Sequence, residues 1–141
     1  MHKVYYMKYR TYIGGYAMVD FVNPEYIRLG QMALDKAREA VDLFLVEDEE
    51  IIAAFKTVRD KVIFTNKRVI AINAQGITGK KVAYTSIPYA KIQTYAIETV
   101  GNFDLDSELD LWISTVGKIH FEISGKYDIR ELNKVISNHI L

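Results

Sequence analysis

The sequence predicts a mainly β domain: seven short antiparallel strands forming a bent barrel or sandwich, capped by a C-terminal helix and preceded by a helical segment. Three observations predict it. Between residues 51 and 123 the apolar residues come in short runs or strict alternation, separated by polar and glycine-bearing turns, which is the strand pattern. On either side of that region the apolar spacing changes to three and four, the period of a helix. The chain has 141 residues, half of them apolar, enough for one domain with its own core and no disulfide or metal staple.

The chain divides into a leader, 1–22, a helical segment, 23–45, and the β domain, 46–141. The leader carries Tyr5, Tyr6, Tyr9, Tyr12 and Tyr16, interrupted by Lys3, Lys8 and Arg10. Charges inside the apolar stretch argue against a signal peptide, and Met18 offers a second start. Aromatics at this density either form an adhesive surface or pack on a sheet edge. Packing or self-association is favoured over ligand stacking, because a ligand pocket also needs convergent polar groups. Asn23-Pro24 marks a turn or helix start, and residues 25–32 are expected to form a short helix against the opposition of Gly30. A second helix runs to about residue 44, with Leu34, Ala37, Val41 and Phe44 as its apolar stripe and an acidic run, Glu47 to Glu50, beyond it.

Strands follow at 51–58, 62–65, 69–72, 81–87, 92–99, 105–113 and 118–123. Gly76 and Gly79 serve the turn before the fourth, Pro88 stops it, and Tyr95 and Ile97 pack together in the fifth. In the sixth, Leu105, Leu109, Leu111 and Ile113 alternate with Asp104, Asp106, Glu108, Asp110 and Trp112. The last helix opens on Asp128 with Glu131 at capping-box spacing, and Ile129, Leu132, Val135, Ile136 and Ile140 form its apolar face.

Several chemistries are excluded by residue type. Eighteen basic and eighteen acidic residues give a net charge of zero, without the basic excess of a nucleic-acid binder. No cysteine is present, which removes disulfides, thiolate zinc sites and cysteine nucleophiles, and fits a reducing cytoplasm. A calcium loop counted from Asp104 would need glycine at Leu109 and glutamate at Thr115, so the acidic alternation reads as a solvated strand face. Gly76 to Lys81 lacks the spacing of a phosphate loop. His2, His120 and His139 lie in separate elements without ligand spacing, His120 on a strand surface. No nucleophile elbow or oxyanion loop accompanies any serine. The expectation is therefore no catalytic residue, no cofactor and no metal.

One series of motifs is more specific. Phe64-Thr65-Asn66-Lys67-Arg68, Gln75-Gly76-Ile77-Thr78-Gly79-Lys80-Lys81, Ser86-Ile87-Pro88-Tyr89, Ile97-Glu98-Thr99, Phe103-Asp104-Leu105-Asp106-Ser107-Glu108-Leu109 and Leu111-Trp112-Ile113-Ser114 follow in order. Over about residues 44–141 this series resembles the bacterial pleckstrin-homology domains, formerly a domain of unknown function, with residues 1–43 largely outside. The resemblance implies a seven-stranded PH-like barrel capped by the C-terminal helix, no enzymatic activity, and assembly into closed rings. Eukaryotic relatives bind phosphoinositides with a basic pattern between the first two strands, here the short Val58-Arg59-Asp60-Lys61, and the barrel implies that the loops bearing Arg59, Lys61, Lys80, Lys81 and Lys118 share one rim.

The leading expectation is a noncatalytic assembly module forming a cyclic homo-oligomer, with itself and an unidentified protein as partners and no nucleic acid. Ring closure needs two different patches; candidates are Ile92, Tyr95 and Ile97 on one strand and Leu109, Leu111 and Trp112 on another, with the helix 34–44 as a bridge. The alternative is peripheral binding of an anionic lipid or phosphorylated ligand at the basic rim, against the ordinary role of lysines in keeping loops soluble.

Overall fold

Residues 25–75, 80–103, 105–114 and 116–141 are described by the structure, a computed structural model. The tyrosine-rich leader, Asn23-Pro24, the Gly76–Gly79 turn, Asp104 and Thr115 lie outside them. The elements in chain order are β1 (Glu25–Gln31), α1 (Leu34–Val41), β2 (Ile51–Lys56), β3 (Asp60–Thr65), β4 (Arg68–Gln75), β5 (Lys81–Pro88), a 3-10 turn (Tyr89–Lys91), β6 (Ile92–Thr99), β7 (Ser107–Ile113), β8 (Gly117–Ile123) and α2 (Arg130–Ile140). The strands form one curled sheet in the order β5-β4-β3-β2-β1-β8-β7-β6. Every pairing is antiparallel except β1 with β8.

The difference between runs and alternation in the sequence has a structural cause. Strands β2 to β4 are buried on both faces. Ala53, Phe55, Val62, Phe64, Val69 and Ala71 face the main core, which is closed by Ile129, Leu132 and Ile136 around α2. Ala54, Ile63, Ile70 and Ile72 face outward into a second core, covered by Ala37 and Val41 of α1. A strand covered on both sides reads as a continuous apolar run. In β7 alternate residues turn inward, Ser107, Leu109 and Leu111 buried and Ile113 packed against the core, and among the described residues no helix covers the other face, so alternation survives. The second core also accounts for apolar residues in excess of what a single barrel interior holds.

Residues 25–32 are a strand and not the expected helix, which makes the sheet eight-stranded. Tyr26 and Leu29 are both buried, and their spacing of three mimics a helix. A bulge produces it: the register against β8 shifts between Tyr26 and Leu29, and Arg28 adopts a left-handed φ of 58°. Helix α1 is shorter than its stripe implied, since Leu34 and Phe44 stay about half exposed and the buried face is Ala37 and Val41. The capping box at α2 also differs. The Asp128 carboxylate accepts the Arg130 N–H at 3.0 Å, but Glu131 accepts the Tyr127 hydroxyl instead of reaching back to the Asp128 backbone.

The acidic run after α1 is not simply solvated. The Glu49 side chain is fully buried and accepts two hydrogen bonds from Arg68, from Nε at 2.9 Å and from Nη2 at 2.9 Å. The Thr65 hydroxyl and the Val46 N–H complete its shell. Arg68 also donates to the Phe44 carbonyl and to Ser86 Oγ, while the buried Tyr89 hydroxyl donates to the Thr65 carbonyl at 2.6 Å. The loop before β2 is thus pinned to the β3–β4 turn by polar contacts inside the fold. Burial pushes the Glu49 carboxyl up, but the hydrogen bonds from Arg68, Thr65 and Val46 outweigh it and hold it below the usual carboxylate range.

Candidate functional site

The sequence places cations in the middle of β1, at the end of β2 and at the start of β3, and these strands bring them together. Arg28, Gly30, Gln31, Lys56, Thr57, Val58, Arg59 and Lys61 line an open cleft of about 540 Å³. The β2–β3 turn that forms one wall is held by the Thr57 side chain, whose oxygen accepts the N–H groups of Arg59 and Asp60. Asp60 Oδ1 is turned away to the Ala74 N–H. Among the described residues no carboxylate forms an ion pair with Arg28, Lys56 or Lys61. Val58 sits fully exposed at the tip of the turn. A left-handed arginine costs on the order of 1–2 kcal/mol, and this one lines the cleft.

Of the five basic residues expected on one rim, Arg59 and Lys61 line this cleft. Lys80 and Lys81 stand at the start of β5 and Lys118 near the start of β8, and none of the three lines it. Arg28 and Lys56 do, and sequence reasoning missed both. Arg28 was hidden in a segment read as helix, and Lys56 closed an apolar run without any motif of its own.

The six residues expected at an oligomer interface separate by burial. Ile92, Leu109 and Leu111 belong to the core and have no surface to offer. Tyr95 and Ile97 pack against that core, with the Tyr95 hydroxyl bonded to Ser137. Trp112 alternates with the buried Leu111 and so stands on the outer face beside Lys118. Exposed apolar surface lies elsewhere. Phe44 packs on Tyr84 at 4.4 Å, next to Val82 on β5, with Leu43 exposed beside them in sequence. A second group, Val100, Phe103 and Leu105, occupies the β6–β7 connection. Strands β5 and β6 are the two ends of the sheet order.

The outer face of β6, β7 and β8 is acidic. Glu98, Glu108 and Glu122 stand side by side in register across the three strands. One row further, Asp110 pairs with His120, and Glu25 of β1 lies opposite His120. The His120 side chain, 17 % exposed, has Nδ1 at 2.6 Å from Asp110 Oδ1 and Nε2 at 3.0 Å from Glu108 Oε1. No helix among the described residues is long and apolar enough to cross a membrane.

Comparison with known proteins gives a consistent picture. The model of the bacterial PH domain matches residues 21–140, which takes in β1 and α1 as well as the β domain. The Bacillus subtilis protein YjqA is 46 % identical over 100 residues, covering 67 % of this chain and 80 % of its own. A pleckstrin-homology protein from Shewanella loihica superposes with a TM-score of 0.68 at 37 % identity, over 82 % of this chain and 99 % of that one. A pleckstrin-homology domain from Shewanella amazonensis gives 0.55 at 41 % identity, over 78 % and 90 %.

Proposed function

The chain belongs to the bacterial PH domain family, and from that premise we propose that it is a noncatalytic module that assembles head to tail with copies of itself into a closed ring. The observation that carries this is an open sheet with two dissimilar ends. At one, β5 presents Val82 and Tyr84 with Phe44 stacked on the latter; at the other, β6 leads into Val100, Phe103 and Leu105. Two different apolar patches on one subunit are what a heterologous contact requires, and exposed aromatic residues are the side chains that anchor such contacts. Strands β5 and β6 stand at the ends of the sheet order, where an edge strand offers a pairing surface.

Native mass spectrometry at low and high salt tests the reading. The wild-type chain is expected to give one discrete oligomer at both, because an apolar contact is not screened. Val82→Glu with Tyr84→Glu is expected to give a monomer with an unchanged circular dichroism spectrum, since both side chains are about two-fifths exposed. A monomeric wild type at every concentration sinks the proposal.

The basic cleft favours a second reading, adsorption to an anionic membrane surface. Three cations that form no ion pair among the described residues, Arg28, Lys56 and Lys61, a fully exposed Val58 and a left-handed Arg28 support it. At about 1 kcal/mol for each basic residue, Lys56→Ala with Lys61→Ala should weaken binding to phosphatidylserine vesicles roughly 30-fold. Arg28→Gly separates function from fold: it relieves the left-handed φ, so stability should rise while vesicle binding falls. Equal binding to neutral phosphatidylcholine vesicles would rule the reading out, and competition by inorganic phosphate would identify a soluble anion as the ligand.

A further inference from the structure

We propose that Glu108, His120 and Glu122 form a binding site for a divalent transition-metal ion of the zinc type, separate from the basic cleft. One oxygen of each glutamate and one nitrogen of His120 lie within 4.8 Å of one another. A metal with ligands at about 2.0–2.2 Å is reached from this arrangement by small side-chain rotations. The strands fix the set: Glu108 and Glu122 are directly opposed on β7 and β8, and His120 is two residues from Glu122 on the same face.

The surroundings are those of a ligand set more than of a solvated face. Asp110 Oδ1 lies 2.6 Å from His120 Nδ1, so in the tautomer protonated at Nδ1 that N–H donates to Asp110 and the lone pair of Nε2 faces outward. A carboxylate on the far nitrogen is the usual orienting partner of a metal-bound imidazole. That lone pair points toward Glu108 Oε1 at 3.0 Å, a contact that needs a proton or a cation between the two atoms. His120 and Asp110 are mostly covered, with side chains 17 % and 23 % exposed, while Glu108 stays more open at 41 %.

Charge and space agree. Glu98, Glu108 and Glu122 run in line, and like charges directly opposite destabilise a sheet. Among the described residues no lysine or arginine forms an ion pair with them. Beside them opens a cleft of about 320 Å³, lined by Glu98, Thr99, Val100, Asp106 and Ser107 as well as Glu108 and Glu122. The Ser107 hydroxyl is the one buried side-chain polar atom without a partner among the described residues. Three protein ligands beside an open cleft leave a coordination position for water. An imidazole with two carboxylates suits zinc, and a hard cation such as magnesium would prefer oxygen alone.

The test is calorimetric titration of the metal-free full-length chain with zinc chloride. One ion per chain is expected. His120→Gln and Glu122→Gln should each weaken binding at least about tenfold. Asp110→Asn, at a residue whose side-chain hydrogen bond is to His120, should weaken it by about 10–100-fold, and the visible spectrum of the cobalt-loaded chain should change with it. The two glutamine variants act as checks on each other, and a circular dichroism spectrum confirms which is folded. No zinc uptake by the wild type, or wild-type affinity in a folded His120→Gln or Glu122→Gln chain, overturns the assignment.

Discussion

Replacing Arg68 by alanine is expected to cost about 3–5 kcal/mol of stability, measured by urea denaturation near neutral pH. The loss comes from what remains behind. The Glu49 side chain is fully buried, and without Arg68 its carboxylate keeps only the Thr65 hydroxyl and the Val46 N–H. Glu49→Gln should cost less. Arg68 is 21 % exposed at its side chain and retains the Phe44 carbonyl and Ser86. The pH dependence has a definite sign. Because the folded carboxyl is held below its ordinary value of 4.5, its contribution is complete above that value and is lost as the pH falls below it. The stability gap between wild type and Arg68→Ala should therefore narrow on acidification. A gap that is small at neutral pH, or widens in acid, would contradict this account of the pair.

Phe121→Ala is the second large effect, again about 3–5 kcal/mol. The ring stacks on Tyr26 at 5.4 Å and meets Phe64 edge-on at 5.7 Å, so it joins β1 and β8 to the β2–β4 half of the core. Truncation leaves a cavity where the two halves meet. Phe121→Leu should recover part of the loss, because it restores volume but not the ring contacts, worth about 0.5–1.5 kcal/mol each. Hydrogen exchange should report the change first at β1, which Tyr26 anchors. Uniform loss of protection would place the damage in the whole core.

Much of the fold was legible because strand burial writes itself into the sequence. The alternation of Leu109 and Leu111 with Glu108 and Asp110, and the unbroken run Val62-Ile63-Phe64, each follow from how many faces are covered. β1 was illegible for a physical reason: its bulge turns a period of two into a spacing of three. The candidate sites were less legible still. The basic cleft draws on Arg28 from a distant strand, and the acidic face depends on a register that lines up residues 98, 108 and 122. The pair His120 and Glu122, two apart on one strand, was the only local trace. Leu109 and Leu111 show the opposite error, apolar residues assigned to a surface when the strand turns them inward.

The parallel pairing of β1 with β8 has a consequence for how the chain acquires its fold. Leu29 finds its neighbour at Ile123, and β1 holds β2 through only a short stretch at Gly30 and Gln31. During synthesis at about 5–20 residues per second, β1 leaves the ribosome long before its main partner exists. Until then β2, β3 and β4 can form a local meander under α1, with Phe55 and Phe64 still uncovered. Closing the sheet is therefore a late, long-range event, the kind of contact that slows folding. During that interval an unpartnered strand and an open core coexist, and chaperone engagement or misassembly would compete with completion of the fold.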